Sequence, residues 1–173
     1  LIITIDGDDS RDFDDAVEVE ILDNGNYRLG VHIADVSEYV KPGSALDEEA
    51  FKRSTSVYFP DRVLPMLPRE LSNGICSLNE GVVRLTLSCI MEIDKNGEVV
   101  DRQIVKSAIK SKRRMTYNQV EAIVAGDEKL SKEFADVKPM LMLMADLQTI
   151  LTNKRDERGS VDLDVKEAHI TYN

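Results

Sequence analysis

Apolar and polar residues alternate along the first part of the chain, and this alternation is typical of half-buried β-strands. The chain opens on an apolar segment, LIITI, and a second segment places Val17, Val19 and Ile21 on one face. The tetrapeptide DNGN at 23–26 predicts a hairpin turn, because Asn-Gly accepts the positive φ angles of tight turns. Alternation resumes at Tyr27. The pattern therefore predicts an antiparallel meander.

The chain then changes from alternation to helical and irregular patterns. Residues 41–54, KPGSALDEEAFKRS, predict a turn and a helix, with Ser44 as the N-cap and acidic residues near the positive end of the helix dipole. Three prolines and two glycines interrupt residues 57–81, where we expect a long irregular segment with a short helix at 68–72. Loops of this length are uncommon in compact domains and are often functional.

A second pair of strands is predicted around the turn DKNG at 94–97. The first, 83–93, carries six alternating apolar residues on one face, and the second covers 98–110. Thr116 and Gln119 then have the spacing of a capping box at the start of a helix.

A longer helix is predicted to begin near Pro139, because proline suits the first turn of a helix. An apolar stripe follows it: Met140, Leu143, Met144, Leu147, Ile150 and Leu151. We interpret the methionines of this stripe as core residues. A last strand is predicted over 160–172. The whole pattern predicts an α+β fold with a mixed, largely antiparallel sheet and flanking helices.

Composition sets bounds on the class of protein. The 173 residues are enough for one domain with a sizeable core, and the net charge is -10. An acidic balance argues against an ordinary nucleic-acid-binding module, whose surface is usually basic, and suits a protein that gathers carboxylates around divalent cations. Cys76 and Cys89 are interpreted as reduced thiols of a cytoplasmic protein. No segment resembles a signal peptide or a membrane span, so no membrane partner is expected.

Six aspartates fall within the ten positions 6–15, between two apolar strands. The simplest interpretation is a solvated acidic loop. However, Asp6 directly follows one strand, and Asp14 and Asp15 directly precede another, so these carboxylates are tethered to rigid elements. Packed together without a counter-ion they would repel one another. Because oxygen ligands suit Mg²⁺ or Mn²⁺, the sequence predicts a divalent metal site here.

The kind of metal site follows from the spacing. A calcium EF-hand loop beginning at Asp6 would need glycine and glutamate where the chain has Arg11 and Val17, and strands rather than helices flank it. Several carboxylates converging from a short stretch suit a pair of catalytic metal ions that hydrolyse a phosphodiester. His32 is interpreted as a structural or surface residue, and no phosphate-binding glycine motif occurs.

Four segments carry a resemblance to a known family: TIDGDDSRDFDDAVEVE, HIADVS, SVYFP and RRMTYNQVEAI. Together they resemble the catalytic domain of the RNB family, which comprises the ribonucleases R and II, and they are more similar to the ribonuclease R branch. The resemblance runs from Ile3 to about Arg158. It implies a processive 3′→5′ exoribonuclease that hydrolyses single-stranded RNA to nucleoside 5′-monophosphates with Mg²⁺, for which Mn²⁺ can substitute.

The same resemblance implies roles for individual residues. The family's four motif aspartates fall on Asp6, Asp12, Asp14 and Asp15. By this analogy all four contribute to the metal site, and Asp14 is the carboxylate most needed for the chemistry. Asp8 and Asp9 lie outside the four and are expected at the loop surface.

Two tyrosines are implied as RNA-binding residues. Tyr58 matches the tyrosine that stacks on a base near the 3′ end, although an ordinary core tyrosine remains an alternative. Tyr117 resembles a residue near the RNA sugar, although a helix start could bury it. Leu163 stands where related sequences carry the aromatic partner of the stacking tyrosine.

A basic segment follows from the residues themselves. Five cations between 102 and 114 share one parity: Arg102, Lys106, Lys110, Lys112 and Arg114. On one continuous strand they would line one face and could contact phosphates. Equally, they could protect an edge strand from pairing with another chain.

The resemblance also bears on domain organisation. Residues 1–173 are expected to form one partial catalytic domain, without the cold-shock and S1 domains of complete family members, and no obligate protein partner is inferred. We expect such a piece to be weak or inactive alone. Two hypotheses compete with the nuclease: a non-catalytic RNA-binding relative, which would be expected to lose motif aspartates, and an unrelated metal-dependent phosphatase.

Overall fold

The computed structural model describes residues 1–59 and 61–161. Six of its strands form one sheet in the order β7-β6-β3-β2-β1-β8, and two short strands, β4 and β5, form a separate hairpin. The strand bounds are β1 Ile3–Asp6, β2 Asp15–Ile21, β3 Tyr27–Ala34, β4 Val57–Tyr58, β5 Val63–Leu64, β6 Val83–Ile93, β7 Val99–Lys110 and β8 Arg113–Thr116.

The large sheet is antiparallel except at one edge, where β1 and β8 run parallel. The predicted turn joins β2 to β3. Gly25 has a φ of 81° there, and its amide donates to the carbonyl of Leu22 at 2.8 Å. Antiparallel pairing continues from β3 to β6 and from β6 to β7. The predicted α+β fold with a mixed, largely antiparallel sheet is thus confirmed.

Four α-helices complete the described part of the chain: α1 Ala45–Arg53, α2 Tyr117–Val124, α3 Glu128–Glu133 and α4 Lys138–Glu157. The predicted caps are present, since the Ser44 hydroxyl accepts from the amide of Asp47 at 3.2 Å. Thr116 and Gln119 form the predicted capping box. No helix among the described residues is long and apolar enough to cross a membrane.

The main core lies between one face of the sheet and helices α2 to α4. Its fully buried side chains are Ile3, Ile93, Met115, Ile123, Val137 and Leu141. Met140 and Leu147 of the predicted stripe are buried here as well. Burial of each such side chain contributes roughly 1.5–3 kcal/mol. Because α4 packs on β2, this core holds β1 and β2 firmly in place.

A smaller core covers the opposite face of the sheet. It contains Phe13, Ala16, Ala34, Cys76, Leu78 and Ile109. The irregular segment 65–80 supplies part of it, and Arg84 anchors this segment by donating to the carbonyls of Ser77 at 2.9 Å and Gly74 at 3.1 Å. A single π-helical turn, Glu70–Ile75, replaces the short helix predicted at 68–72.

Burial along β6 does not follow hydrophobicity. Val83 is 60% exposed and Leu85 40% exposed, whereas Thr86 and Ser88 are almost completely buried. The reason is that the helical layer covers this face of β6 only near Ile93. On the other face, Thr86 and Ser88 satisfy their hydroxyl groups by hydrogen bonds to Ser107.

The five cations do not lie on one continuous strand, which was the condition for their lining one face. Strand β7 ends at Lys110, Lys112 lies in the short connection that follows, and Arg114 belongs to β8, which is at the other end of the strand order and pairs with β1. Strand β7 is an edge strand, and its Lys106 pairs with Glu38 at 3.2 Å. Of the strand predicted over 160–172, Ser160 and Val161 are irregular and the rest lies outside the described residues.

Candidate active site

The acidic residues gather at one end of two neighbouring strands. β1 ends at Asp6 and β2 begins at Asp15, and the two strands pair antiparallel with Ile3 opposite Val17. Residues 7–14, which we call the aspartate loop, connect them. Asp6 and Asp15 are therefore fixed at the same end of the sheet, as the tethering in the sequence predicted.

A buried aromatic side chain anchors the aspartate loop. Phe13 is 8% exposed, its amide donates to the hydroxyl of Ser77 at 3.1 Å, and its carbonyl accepts from the amide of Leu78 at 2.8 Å. The carbonyl of Asp14 accepts from the amide of Ala34 at 2.9 Å. Because Phe13 fills the small core, Asp14 beside it remains exposed at the surface.

The crowding of carboxylates at this end of the sheet helps to raise the pKa values of Asp6 and Asp14. The pKa of Asp6 is raised to about 6, first by burial and then by the negative charges of Asp15, Asp14 and Asp12, while the positive charge of Arg114 opposes the rise. One carboxylate oxygen of Asp6, Oδ2, is buried and has no hydrogen-bond partner among the described residues. Such an oxygen is costly to bury unless something binds it.

The pKa of Asp14 is raised for similar reasons. Its pKa is raised first by partial burial and then by the negative charges of Asp12 and Asp15. The side chain is accessible to solvent, yet the surrounding loop displaces enough water to disfavour its charged form. All four motif aspartates therefore belong to one electrostatic cluster, which the structure brings together.

This cluster suits a divalent cation by its chemistry. It offers carboxylate oxygens only, the ligand type that Mg²⁺ and Mn²⁺ prefer. Oδ2 of Asp6, which has no hydrogen-bond partner among the described residues, is one such oxygen. Among the described residues, no three His, Cys, Asp or Glu side chains lie close enough together to form a finished metal cage. The negative charges of the motif aspartates are nevertheless close enough to raise the pKa values of Asp6 and Asp14.

A cleft separates the aspartate loop from the β4–β5 hairpin. Asp12 and Tyr58 both line a cavity of about 1040 Å³. They also line a neighbouring cavity of about 410 Å³, together with Asp14 and Ile33. Tyr58 is 70% exposed, so the alternative of a core tyrosine is wrong. An extended ligand in this cleft could contact an aromatic ring and the acidic cluster at once.

Tyr117 lies on another side of the cluster. It is the first residue of α2 and follows Thr116, the β8 residue paired with Asp6. It is 64% exposed, so the helix start does not bury it. Tyr117 is not among the described residues that line the two cavities beside Tyr58. Leu163, which stands at the position of the second stacking residue, lies outside the described residues.

The sequence patterns missed two residues that hold the aspartate loop. Arg114 donates from Nη2 to the carbonyls of Gly7 at 2.8 Å and Asp8 at 2.9 Å. Asn118 donates to Oδ2 of Asp8 at 2.5 Å. Asp8 is exposed as predicted, but it is held in place. No local signal links residues so far apart, because their contact depends on the parallel pairing of β1 with β8.

His32, interpreted from the sequence as a structural or surface residue, is structural. It is 3% exposed, and its Nδ1 lies 2.6 Å from the hydroxyl of Ser88. Its Nε2 lies 3.7 Å from the carboxylate of Glu18. His32 is not among the residues that line the two cavities of the cleft.

Comparison with known proteins decides the family. The family model described as the RNB domain matches residues 1–173, the whole chain. The chain belongs to the RNB family. Ribonuclease R of Thermotoga maritima is 54% identical to this RNB chain over 170 residues, which are 98% of the chain and 24% of the relative. The chain spans about a quarter of the length of the curated relatives it matches.

Solved structures of RNB proteins share the fold. Mycoplasma genitalium RNase R in complex with ribose methylated single-stranded RNA matches 99% of this RNB chain and 27% of its own chain, with 32% identity and a TM-score of 0.88. Yeast Ssd1, described as a pseudonuclease, matches 76% of this chain and 16% of its own, with 25% identity and a TM-score of 0.66. The fold therefore occurs both in a named ribonuclease and in a named pseudonuclease.

Proposed function

We propose that this chain is part of a processive 3′→5′ exoribonuclease that hydrolyses single-stranded RNA to nucleoside 5′-monophosphates with Mg²⁺. The observation that carries the proposal is the electrostatic cluster at the ends of β1 and β2. The neighbouring negative charges there help to raise the pKa values of Asp6 and Asp14, and one oxygen of Asp6 is buried without a hydrogen-bond partner among the described residues. Membership of the RNB family and the similarity to proteins named Ribonuclease R support it.

In this proposal Asp6, Asp12, Asp14 and Asp15 hold the divalent metal, which is Mg²⁺ with Mn²⁺ as a substitute. Bound divalent ions supply an activated water and stabilise the leaving oxygen in phosphodiester hydrolysis. The chain's own contribution is to fix the carboxylates on strand ends and on the loop residue beside the buried Phe13. Asp14 is exposed at the surface and is the carboxylate we assign to the chemistry.

RNA binding is assigned to the tyrosines beside the cluster. Tyr58, exposed across the cleft from Asp12, is proposed to stack on a base near the 3′ end. Stacking tolerates any base, which suits a degradative enzyme. Tyr117 is proposed to lie near the RNA sugar. Because the chain's net charge is -10, we assign most RNA affinity to other parts of a longer protein, in which residues 1–173 are a partial catalytic domain.

The metal site is tested first, by calorimetric titration of Mn²⁺ into the protein and three variants. Asp6→Asn and Asp14→Asn should each weaken binding, because each removes a charged ligand from the cluster. Asp9→Asn is the matched control, since Asp9 lies in the same exposed loop but outside the four motif positions. Binding that is absent, or unchanged in both motif variants, contradicts the metal site.

The activity is tested with the longer protein that contains this domain and a uniformly labelled single-stranded RNA. We expect mononucleotide products in Mg²⁺, a loss of at least about 100-fold in kcat for Asp14→Asn, and near-normal kcat for Asp9→Asn. The 173-residue chain alone should be weak or inactive, and processive degradation by it would refute that part of the proposal.

A non-catalytic RNA-binding protein is the second candidate, because Ssd1, described as a pseudonuclease, shares the fold. The presence of all four motif aspartates favours the enzyme. The two candidates differ in one measurement. The second candidate predicts that the wild-type protein binds single-stranded RNA but leaves it intact at every Mg²⁺ or Mn²⁺ concentration tried.

A further inference from the structure

We propose that Arg114 is a positioning residue that holds the aspartate loop in the shape needed for metal binding. This inference rests on the proposed function, because it concerns the same metal site. Arg114 is not itself a metal ligand and touches none of the four motif carboxylates by a hydrogen bond among the described contacts. Its role is to fix the backbone that carries them.

The contacts of Arg114 converge on the start of the loop. A single nitrogen, Nη2, donates to two successive carbonyls, those of Gly7 and Asp8, at 2.8 and 2.9 Å. The guanidinium lies 5.5 Å from the centre of the Phe13 ring, near the end of the same loop. Arg114 therefore connects the first residues of the loop to its buried anchor.

The strand that carries Arg114 is itself well placed. β8 pairs with β1 in parallel, so Arg114 lies beside Thr4 and Thr116 lies beside Asp6. The amide of Arg114 donates to the carboxylate of Glu80 at 2.8 Å, which holds the outer edge of β8. Asn118, four residues further on, binds the Asp8 side chain. The short segment 114–118 thus holds the first turn of the aspartate loop from one side.

Electrostatics alone would give Arg114 the opposite effect. A positive charge beside a cation site repels the incoming metal, so removal of Arg114 by itself would tighten metal binding. If Arg114 acts by positioning the loop, its removal weakens binding instead, because the carboxylates lose their shared arrangement. The sign of the change therefore separates positioning from charge.

The experiment measures Mn²⁺ affinity in the full-length protein that carries this domain, as wild type, Arg114→Ala, Arg114→Lys and Arg113→Ala. Arg113 is the control, because it precedes Arg114 on β8 and makes its ion pairs with Asp136 at 3.3 Å and Glu80 at 3.9 Å rather than with the aspartate loop. We expect Arg114→Ala to weaken Mn²⁺ binding about 10-fold, the scale typical of residues that orient metal ligands. Arg113→Ala should change it little.

Arg114→Lys tests the geometry further. Lysine keeps the charge and can donate to carbonyls, but it lacks the planar group that packs on Phe13. We expect it to recover part of the affinity lost in Arg114→Ala. Mn²⁺ binding that is unchanged or tighter in Arg114→Ala would overturn the inference.

Amide hydrogen exchange without metal provides an independent measurement. In Arg114→Ala we expect faster exchange across residues 7–12, including the Ser10 amide, which donates to Gly7 at 3.2 Å. Exchange in the core strands should match that of wild type. Unchanged loop exchange overturns the positioning role whether or not metal binds. Wild-type protein that binds no Mn²⁺ while its loop exchange still depends on Arg114 overturns the proposed function instead.

Discussion

At the residue scale, Asp6 shows how a binding site is held at the expense of stability. Its carboxylate is partly buried and lies near three other carboxylates, and its pKa is raised to about 6 as a result. In the metal-free protein, ionisation of Asp6 therefore costs more free energy in the folded state than in the unfolded chain. A bound cation would remove this penalty by neutralising the cluster.

Asp6→Asn should therefore stabilise the metal-free protein at pH 7. Because the pKa of Asp6 is raised in the folded state, the folded protein binds more protons than the unfolded chain between about pH 4 and 6, and stability falls as pH rises through that window. We expect a gain of about 1 kcal/mol at pH 7, after allowing for solvent screening, and little gain at pH 4. Urea unfolding at both pH values measures it.

The control for this prediction is Asp9→Asn, which removes a charge from the same loop without removing a motif aspartate. It should change the free energy of unfolding less than Asp6→Asn does at pH 7. A gain for Asp6→Asn that is equal at pH 4 and pH 7 would show that the ionisation of Asp6 is not the cause.

Gly30 is the second informative position at this scale. A Cβ atom there would lie 2.7 Å from Cγ of Glu18 and 3.0 Å from Nε2 of His32. We expect Gly30→Ala to cost roughly 1–3 kcal/mol, the usual cost of overpacking, because both neighbours are held in the buried polar group. Gly74→Ala is the control, since its Cβ would approach only the Arg69 carbonyl, at 3.8 Å. Chemical denaturation compares them.

The polar group around Gly30 has a pH dependence of its own. Contact with His32, followed by the charge of Arg28, holds the pKa of Glu18 at about 2 despite partial burial. A carboxyl group with a lowered pKa stabilises the fold above its usual pKa, and this stabilisation is lost as the pH falls toward 2. Glu18 and Asp6 thus respond to acid in opposite directions.

At the scale of elements, β6 shows that the hydrophobic pattern of a strand does not determine which of its residues are buried. Leu85 and Ile93 lie on the same face of one strand, but Leu85 is 40% exposed and Ile93 only 1% exposed. The helical layer covers one end of the strand and leaves the other end open. The alternation predicts the strand and its faces, but it does not say which part of a face is covered.

The matched pair Ile93→Ala and Leu85→Ala tests this difference within one strand. We expect Ile93→Ala to cost about 2–5 kcal/mol, because it leaves a cavity in the main core. Leu85→Ala should cost less than about 1 kcal/mol, because its side chain is already partly in water. If the two variants lost similar free energies of unfolding, the open end of β6 would have to be covered in solution.

At the scale of the whole molecule, the site joins parts that lie far apart in the chain. The aspartate loop connects β1 to β2, and the β4–β5 hairpin forms the other side of the cleft beside it. Residues of β8 and α2 hold the loop in place by hydrogen bonds. Because binding of a metal to the folded protein alone shifts the folding equilibrium, the site and the global stability are coupled.

Mn²⁺ should therefore raise the melting temperature of the whole domain. At a concentration 100 times the dissociation constant, the expected stabilisation is about 2.7 kcal/mol. Asp14→Asn should lose most of this shift at the same concentration, whereas Asp9→Asn should retain it. Differential scanning calorimetry measures the effect, and equal shifts in wild type and Asp14→Asn would place the bound Mn²⁺ elsewhere.

The sequence by itself determined the features that depend on neighbouring residues. The DNGN hairpin, the Ser44 cap, the Thr116 capping box and the tethering of Asp6 and Asp15 to strand ends were all predicted. Each depends on backbone angles or on hydrogen bonds within a few residues, so a short window of sequence contains the whole cause. The order of these elements was also enough to predict the fold class and to carry the resemblance to the RNB family.

Only the tertiary structure decided what depends on which strands pair and which faces are covered. The parallel pairing of β8 with β1 moved Arg114 from a supposed basic strand to the aspartate loop, more than 100 residues away in the chain. The burial of His32 and the exposure of Leu85 have the same origin. Such contacts are selected by the total free energy of burial and pairing across the domain, and no local pattern contains that sum.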